Sequence, residues 1–567
     1  MNFMKSHCRL WLTCLLAIAS LTPLLSLAQD FDDLNEQADK EYQANNYQKA
    51  IDLVTRAINM KINARSYFIR ADCRYSQEDY QAALSDYNSA IDGYSNYYST
   101  DKYRGRLYYW RGRTKQKLSK WDDAISDFNT SITYNYDQPG YTYWNRGNCY
   151  YELLKYQESD DDYAKAIDRL SDPKDLAKLY KYRGDCLAHL YKYDEADKFY
   201  TRSISYNTDF YNAYWTRGYY RALDMKYDEA IVDYKKAIEI IEASSTKNDD
   251  DLSAVCRNLA LLYSDQGRND DAMDAINKAL KADPNNVKAF QTRAEVYQHM
   301  KRYDKAKADY ENAISLMNND KAIGDVYFDR SYKLDWVILD YRSALEDLNK
   351  SISLDATDGM KFWHRAITYD YKKDFVKAMA DCDKAMQLYT DEVPSGLYSL
   401  RASIKEKTGD IKGAVADYQL ALKADKTNAS TYYNLGRLFK TKLKNDDLAE
   451  TNFSKAIDIA KDNKSGATEA YAYVIRGNAE GAITLVLAKV EQFRDDKYNY
   501  KWQLHNAACI YALSGNRTKA LEYLDKSLAA GFDDYNHLVN DRDLVSIMLM
   551  PQYQAILLKY NVPQPKW

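Results

Sequence analysis

This chain has few residues that interrupt helices. It contains only 8 prolines and 19 glycines among 567 residues. Proline removes a backbone hydrogen-bond donor and glycine is costly inside regular elements, so this scarcity argues against long disordered segments and against an all-β fold. The formal net charge is only −4. The chain therefore lacks the basic excess that is typical of nucleic-acid-binding proteins.

Residues that carry common chemistry are also scarce. The 6 histidines form no His-Glu-x-x-His zinc motif, and neither a glycine-rich phosphate loop nor a Gly-x-Ser-x-Gly motif occurs. No Cys-x-x-Cys occurs, and Cys73, Cys149 and Cys186 share one repeated position that is typical of small buried side chains. We therefore predict that the protein is not an enzyme and has no metal site and no cofactor.

The first residues are typical of an export signal. Lys5 and Arg9 give a positive start, and an apolar run extends from Leu10 to Leu27. Ser26-Leu27-Ala28 offers small residues at the two positions that a signal peptidase reads. Cleavage after Ala28 predicts a periplasmic or secreted protein. The alternative is a membrane anchor that stays uncleaved.

One stretch, from Tyr214 to Ile240, contains the pattern that the rest of the chain repeats. Its first half has helical spacing around Gly218, and its second half repeats the i, i+3, i+4, i+7 spacing of an amphipathic helix from Tyr227. Asp224 to Lys226 interrupts the pattern as a short turn, which predicts two antiparallel helices. Gly218 and Ala230 mark the places where the two helices would approach closely.

Related copies follow one another along most of the chain. The equivalents of Ala230 are Ala50, Ala83, Ala124, Ser159, Ala196, Ala272, Ala306, Ala344, Ala378, Ala414, Ala449 and Ala520. In the other copies, the position of Gly218 is occupied by alanine, serine or glycine. The glycines at this position are Gly112, Gly147, Gly184, Gly436 and Gly477. From about Phe31 to Gly531 the chain thus resembles the tetratricopeptide repeat (TPR) family, whose units are helix–turn–helix repeats of about 34 residues. The resemblance implies an all-α fold, a right-handed α-α superhelical solenoid of antiparallel helix hairpins.

Irregular spacings divide the array. We predict a tyrosine-rich block over 29–245, a second block over 246–465, and a degenerate repeat, a final repeat and a cap over 466–567. The end of the chain, with Ala530-Gly531-Phe532 and Asp541-Arg542-Asp543-Leu544, resembles the terminal repeat of many bacterial TPR proteins and would cover the last apolar face. We interpret Asp541 and Asp543 as helix-capping residues.

Arginine and aspartate recur at fixed places in the copies. An arginine precedes the small position of the first helix, and an aspartate precedes the core aromatic of the second. We therefore predict a ladder of structural ion pairs, within or between repeats. Its members include Arg111 and Asp127, Arg146 and Asp162, and Arg217 and Asp233, and Arg183 belongs to the arginine series.

In the TPR family the first helices line a concave groove, so the resemblance also indicates where a partner would bind. The positions that vary between copies, and that we expect to line the groove, include Tyr109, Arg113, Trp144, Asn148, Tyr151, Trp215, Tyr219, Trp363, Tyr433 and Arg437. Rings beside polar groups suit an extended peptide or the face of a sugar; the alternative is that the rings only pack between helices. The family's carboxylate-clamping pattern of Lys and Asn is not evident.

We predict a non-catalytic scaffold for protein–protein interaction, exported to the cell envelope, that binds a peptide or protein in this groove. The alternative is an envelope glycan-binding module that uses the aromatic residues of the groove. Nucleic acid is not an expected partner. A membrane is expected only if the first segment stays uncleaved.

Overall fold

A computed structural model describes residues 30–61, 63–93, 101–246, 248–390, 392–462 and 466–567. The predicted export signal, residues 1–28, lies outside them. The described residues are mainly helical and form no sheet, apart from a single bridge between Asp340 and Lys566. The prediction of an all-α fold built from helix hairpins is confirmed.

The helices are α1 (residues 30–43), α2 (Tyr47–Met60), α3 (Ala64–Ser76), α4 (Tyr80–Asp92), α5 (Asp101–Lys117), α6 (Trp121–Thr133), α7 (Pro139–Glu152), α8 (Tyr156–Ile167), α9 (Pro173–His189), α10 (Tyr193–Tyr206), α11 (Tyr211–Leu223), α12 (Tyr227–Ala243), α13 (Asp249–Asp265), α14 (Asn269–Ala282), α15 (Val287–His299), α16 (Tyr303–Ser315), α17 (Asp320–Arg330), α18 (Tyr341–Leu354), α19 (Gly359–Tyr371), α20 (Phe375–Leu388), α21 (Ser395–Thr408), α22 (Ile411–Ala424), α23 (Ala429–Leu438), α24 (Asp446–Asp462), α25 (Gly466–Ile475), α26 (Ala479–Gln492), α27 (Lys497–Leu513), α28 (Arg517–Ala529), α29 (Tyr535–Asn540), α30 (Val545–Met548) and α31 (Pro551–Lys559).

Neighbouring helices pair as antiparallel hairpins, as α11 and α12 illustrate. The turn between them is short because Met225 adopts a left-handed conformation, with φ 59°, and the backbone N–H of Lys226 donates to the carbonyl of Arg221. The apolar side of α12, including Ala230, Tyr234 and Ala237, is buried. Burial of this stripe stabilises the hairpin more than helix propensity does, since isolated helices of this length are marginal in water.

The chain divides into two compact units. Unit 1 ends at Leu262 and unit 2 begins at Tyr263, so the boundary falls inside α13. The division into repeat blocks after residues 245 and 465 stays a prediction from the sequence.

Two first helices continue into a π-helical segment, α17 into Ser331–Asp335 and α23 into Phe439–Leu443. In both hairpins the sequence has one residue more between the small position and the alanine of the second helix. A π-helical turn takes up one extra residue without ending the helix. These two insertions are therefore absorbed inside helices and leave the hairpins intact.

The structure corrects the register of one repeat. The sequence pattern assigns Gly477 to the small position of a first helix, but Gly477 lies in the turn between α25 and α26, with φ 87°. The small position is filled by Ala470, which is fully buried, as is Ala482 on the second helix. The error arose because a left-handed turn and a close helix contact both favour glycine.

Candidate functional site

The recurring arginines and aspartates meet within hairpins. Arg217 Nε lies 2.9 Å from Asp233 Oδ2 and Arg217 Nη2 lies 2.7 Å from Asp233 Oδ1. The two residues are sixteen positions apart, and Asp233 is buried. The same bidentate geometry joins Arg70 to Asp86, Arg111 to Asp127, Arg146 to Asp162, Arg293 to Asp309, Arg365 to Asp381, and Arg401 to Asp417. In the hairpin with the first π-helical insertion, Arg330 pairs with Asp347, seventeen positions on.

Arg183 is the exception that shows how the sequence determines which aspartate each arginine pairs with. The position sixteen residues after it is Phe199, which offers no carboxylate. Arg183 Nε instead lies 2.6 Å from Asp160 on the preceding hairpin, and the guanidinium stacks on the Phe199 ring at 4.4 Å. These ion pairs therefore belong to the scaffold, and one of them links two successive hairpins.

In unit 1, hydroxyl groups of core tyrosines on the second helix form hydrogen bonds with residues on the first helix of the same hairpin. The Tyr87 hydroxyl donates to Asp72 at 2.5 Å, and the Tyr200 hydroxyl donates to Asp185 at 2.9 Å. Burial raises the pKa of Asp72 to about 7 and also raises the pKa of Asp185, despite the hydrogen bonds that each accepts.

Two other hairpins show how the core aromatic matches the first-helix residue. Asn148 accepts a hydrogen bond of 2.8 Å from Tyr163. Arg113 stands at the equivalent position, and there the core aromatic is Phe128, which has no hydroxyl. In these four hairpins, a core hydroxyl lies opposite Asp72, Asn148 and Asp185, which accept its hydrogen bond, and a ring without a hydroxyl lies opposite Arg113.

Three successive first helices of unit 1 form a cleft with a volume of about 560 Å³. We call it the unit 1 cleft. Its lining includes Arg113 and Gln116 from α5, Asn148 and Tyr151 from α7, and Lys181 and Asp185 from α9. Arg113, Asn148 and Tyr151 are among the predicted groove residues, and the structure brings them together.

Arg113 and Asn148 are the donors of this cleft that a ligand could use. Asn148 accepts from Tyr163 through its Oδ1 atom, so its NH2 group takes no part in that hydrogen bond. Among the residues that line the cleft, Arg113 has a buried Nε atom without a hydrogen-bond partner within the described ranges; the buried Tyr75 Oη and Trp110 Nε1 atoms, outside the cleft lining, have none either. The Arg113 guanidinium lies over the rings of Tyr75 and Trp110, at 5.7 and 5.2 Å. Buried polar groups without partners are costly, so a ligand with acceptor atoms would be stabilised here.

One predicted groove residue is corrected outright. Tyr109 is only 4% exposed, its ring contacts Phe128 and Tyr136, and its hydroxyl accepts from Asn145 at 3.2 Å. It therefore belongs to the core. Tyr219, by contrast, is 46% exposed.

The tryptophans are mostly engaged by neighbouring helices. Trp144 stacks on Tyr141 at 6.1 Å and contacts Tyr182. Trp363 lies so close to Gly396 that a β-carbon there would come within 2.9 Å of the indole. Trp215 is partly buried. These contacts favour the packing interpretation for Trp144 and Trp363.

In unit 2 the chain's own C-terminal segment, residues 533–567, packs against the start of α18. The Tyr341 hydroxyl donates to Asn536 at 2.6 Å and accepts from Asn540 at 2.7 Å. The Trp567 ring stacks on Tyr341 at 4.5 Å, and the backbone N–H of Lys566 donates to the carbonyl of Leu339. This segment therefore contacts a helix that lies about 200 residues earlier in the chain.

Two predicted groove residues of unit 2 are already engaged. Arg437 forms a bidentate pair with Glu406, at 2.8 and 2.6 Å, and Arg542 of the C-terminal segment approaches the same carboxylate to 3.9 Å. Tyr433 packs against Phe453 and Tyr471. The prediction that these two residues meet an external partner is therefore not supported by their contacts.

A buried cluster at the end of unit 2 is not among the sites predicted from the sequence. His505 and Cys509 on α27 meet Asp541, which follows α29. Asp541 does cap the next turn, through a 2.9 Å hydrogen bond from the N–H of Asp543, as the sequence predicts. Burial raises the pKa of Cys509, so its thiol is not an activated nucleophile. A one-turn His–Cys spacing on α27 was the available signal.

Two solved structures match this chain at low similarity. Yeast Tom70 is 15% identical, covers 79% of this chain and 95% of its own, and has a TM-score of 0.40. The C-terminal part of a TPR repeat-containing protein from Cytophaga hutchinsonii is 20% identical, covers 46% of this chain and 98% of its own, and has a TM-score of 0.38.

Curated relatives match over part of their length. A TPR repeat-containing protein of Methanocaldococcus jannaschii is 23% identical over 221 residues, covering 38% of this chain and 33% of the relative. Sperm-associated antigen 1 of Homo sapiens is 24% identical over 239 residues, covering 42% and 25%. The peptidyl-prolyl cis-trans isomerase FKBP4 of Bos taurus is 31% identical over 104 residues, covering 17% and 23%. The chain thus spans a third or less of the length of these relatives.

Family models described as tetratricopeptide repeat match residues 35–98, 209–285, 275–308, 395–428 and 429–463. These matches fall on helix hairpins with the small residues, core aromatics and short turns described above. The chain is a tetratricopeptide repeat protein.

Proposed function

We propose that this protein is a non-catalytic scaffold whose unit 1 cleft binds an extended segment of a partner protein. The observation that carries the proposal is the composition of the cleft. Three consecutive hairpins contribute polar and aromatic side chains to it, at the positions where the copies differ. Residues that differ between otherwise similar repeats are not explained by the shared packing, whereas recognition of one partner requires them to differ.

The chemistry of the cleft favours a polar segment with many hydrogen-bond acceptors. Arg113 and the Asn148 amide donate, and Tyr151 and Tyr182 offer ring surface. The Lys181 ammonium already lies 2.7 Å from Asp185, so this pair is less available than Arg113. Backbone carbonyls of an extended peptide would meet such donors at regular intervals.

Unit 2 supplies an internal example of the same kind of recognition. The segment 533–567 covers a face of unit 2 through the Tyr341 hydroxyl at the start of α18 and through the contact of Arg542 with Glu406 on α21. Because the chain itself covers that face, the open cleft of unit 1 is the better candidate for an external partner.

We further propose that the partner is in the cell envelope, because residues 1–28 have features typical of an export signal. N-terminal sequencing of the protein from its native cell, together with cell fractionation, tests this part. A mature chain that begins at Gln29 supports cleavage after Ala28. A chain that retains residues 1–28 in the membrane fraction would support the anchor instead. A glycan ligand is not favoured, since Trp144 and Trp363 pack against neighbouring helices.

Site-specific photocrosslinking in the native cell tests the binding face. A photoreactive amino acid replaces Gln116 in the cleft or, as a matched control, Ser126 on the exposed side of α6. We expect one prominent crosslinked protein from the cleft position and none from the control. Mass spectrometry then identifies the crosslinked segment.

A synthetic peptide with the sequence of the crosslinked segment can then be titrated with the protein, and fluorescence anisotropy measures its affinity. Variants of Arg113 and Asn148 show how much each donor contributes to that affinity. Loss of a charged hydrogen bond costs about 1.5–3 kcal/mol, so Arg113→Ala should weaken binding by roughly tenfold or more. Asn148→Ala should also weaken it, and Ser126→Ala should not. Equal affinity for all variants, or crosslinks from both positions, would contradict the proposed site.

A further inference from the structure

Three buried metal-ligating side chains meet where the last helices of unit 2 join, and a fourth, partly exposed one lies beside one of them. His505 Nε2 lies 2.9 Å from Asp541 Oδ2, and Cys509 Sγ lies 3.2 Å from the same oxygen. Cys509 Sγ is 3.6 Å from His505 Nε2. A second imidazole, that of His537, places its Nε2 atom 3.5 Å from Asp541 Oδ2.

These distances are close to those of a tetrahedral zinc site. Zinc binds nitrogen, oxygen and sulfur at about 2.0–2.3 Å, which puts neighbouring ligand atoms roughly 3.3–3.7 Å apart. The three donor atoms of His505, Cys509 and Asp541 all lie within 4.8 Å of one another. Small shifts of the side chains would therefore suffice to admit a metal ion.

The local fold preorganises the donors. His505 and Cys509 are four residues apart on α27, so they lie on one face of that helix. His537 and Asp541 are also four residues apart, at the end of α29. His505, Cys509 and Asp541 are buried, whereas the His537 side chain is 47% exposed. His537 therefore lies on the side from which an ion could enter.

The surroundings are suited to a structural site. The His505 ring stacks on Phe532 at 4.5 Å, and Trp502 packs against Phe532. An apolar shell of this kind excludes water from the ligands.

We propose that His505, Cys509, Asp541 and His537 form a structural Zn²⁺ site that fastens the C-terminal segment to α27. The ligand set of one thiolate, two imidazoles and one carboxylate suits zinc and excludes Mg²⁺ and Ca²⁺, which prefer oxygen ligands. On binding, the Cys509 thiol becomes a thiolate and its proton passes to solvent. The buried Nδ1 atom of His505 has no hydrogen-bond partner among the described residues, so we expect an affinity about 10–100-fold below that of a site with this second contact.

Metal analysis of the full chain, purified without a polyhistidine tag, tests the proposal. After loading with zinc chloride and dialysis, we expect close to one Zn²⁺ per chain. Replacement by Co²⁺ should give the visible absorption of a tetrahedral ion and a thiolate charge-transfer band in the near ultraviolet. Saturating zinc should raise the melting temperature by roughly 5 °C relative to the chelated protein.

Two variants and one control complete the test. Cys509→Ser should abolish the charge-transfer band and the stabilisation by zinc. His537→Ala, at an exposed position that does not endanger folding, should weaken binding by at least tenfold. Cys382→Ser removes a buried cysteine on α20 and should leave zinc binding unchanged. A wild-type chain without bound zinc, whose melting temperature is the same with zinc and with chelator, would overturn the proposal.

Discussion

The buried carboxylates of unit 1 are the residues with the clearest electrostatic consequences. Asp72 and Asp185 each accept a tyrosine hydroxyl at the first-helix face, and Asn148 occupies the same position between them. Desolvation opposes the charged form of a carboxylate but not a neutral amide. Equivalent positions in three hairpins of one chain therefore carry a carboxylic acid twice and an uncharged amide of the same shape once.

Asp72→Asn should remove a pH dependence of stability. Burial, partly offset by the Tyr87 hydrogen bond, raises the pKa of Asp72 from 3.8 to about 7. Between about pH 4 and pH 7 the folded state retains a proton that the unfolded chain has lost, so stability falls as the pH rises through this window. We expect the variant to match wild type near pH 4 and to be more stable at pH 8, as followed by thermal melts across this range.

Asn148→Asp provides the matched control for this prediction. It introduces a buried carboxyl beside Tyr163 and should create a pH dependence of the same sign. If the difference in melting temperature between Asp72→Asn and wild type were the same at pH 4 and pH 8, the assigned pKa would be wrong.

The ion-pair ladder can be tested at Asp233. This carboxylate accepts from two arginines, Arg217 at 2.7 Å and Arg221 at 3.0 Å. Asp233→Lys leaves both guanidinium groups beside a new positive charge, and loss of one partner of a buried pair costs about 3–5 kcal/mol. Calorimetry should show a clear fall in melting temperature. Asp228→Lys, on the exposed side of the same helix, should change it little; an unchanged curve for Asp233→Lys would refute the ladder's structural role.

At the scale of the element, a hairpin depends on how closely its two helices approach. At Gly184 a β-carbon would lie 2.6 Å from a ring atom of Tyr200, whereas at Gly218 the nearest ring atom of Tyr234 is 3.1 Å away. Both glycines occupy the small position, but only the first leaves no room for a methyl group. The hairpins therefore differ in how tightly their core tyrosine packs.

Gly184→Ala and Gly218→Ala should consequently differ in sign or size. Each substitution gains about 1 kcal/mol of helix propensity. At Gly184 the overlap with Tyr200 should exceed this gain, because overpacking typically costs about 1–3 kcal/mol. Chemical denaturation should show destabilisation for Gly184→Ala and a nearly neutral change for Gly218→Ala. Equal effects would show that both rings move freely.

At the scale of the whole molecule, the C-terminal segment joins parts of unit 2 that are far apart in sequence. Asn536 and Asn540 bind Tyr341, Lys301 donates to Tyr535 at 3.2 Å, and Ser546 donates to the carbonyl of Ala512. Because these contacts close one unit upon itself, the segment does more than cover the last hairpin.

Deletion of residues 533–567 should therefore destabilise unit 2 both near the C-terminus and in the earlier helices that the segment contacts. We expect amide hydrogen exchange to rise by about tenfold or more in α27 and also in α18, which the deleted residues contact directly. Exchange in α3 and α4 of unit 1 serves as the internal control. The milder Tyr341→Phe, which removes one hydroxyl, should affect α18 and α29. An increase confined to α27 and α28 would mean that the segment acts only as a terminal cap.

The spacing of residues along the sequence determined the helix hairpins of this protein. The period of the small residues and aromatics is enough to predict hairpins, because each helix must bury one stripe against the next. The Arg217–Asp233 pairing also follows from spacing, since sixteen residues return the chain to the same level of the hairpin. Spacing misassigned Gly477, because glycine serves turns and close contacts alike.

The tertiary structure decided what spacing does not encode. Which rings are covered depends on neighbouring helices, so Tyr109 is buried although its position varies between copies like those that line the cleft. The covering of Tyr341 by Asn536 and Asn540, and the meeting of His505 with Asp541, join residues whose separation in sequence has no period. Whether two residues so far apart in sequence meet depends on the number of hairpins between them. Small insertions such as the π-helical turns change where the later hairpins lie without altering the local residue pattern.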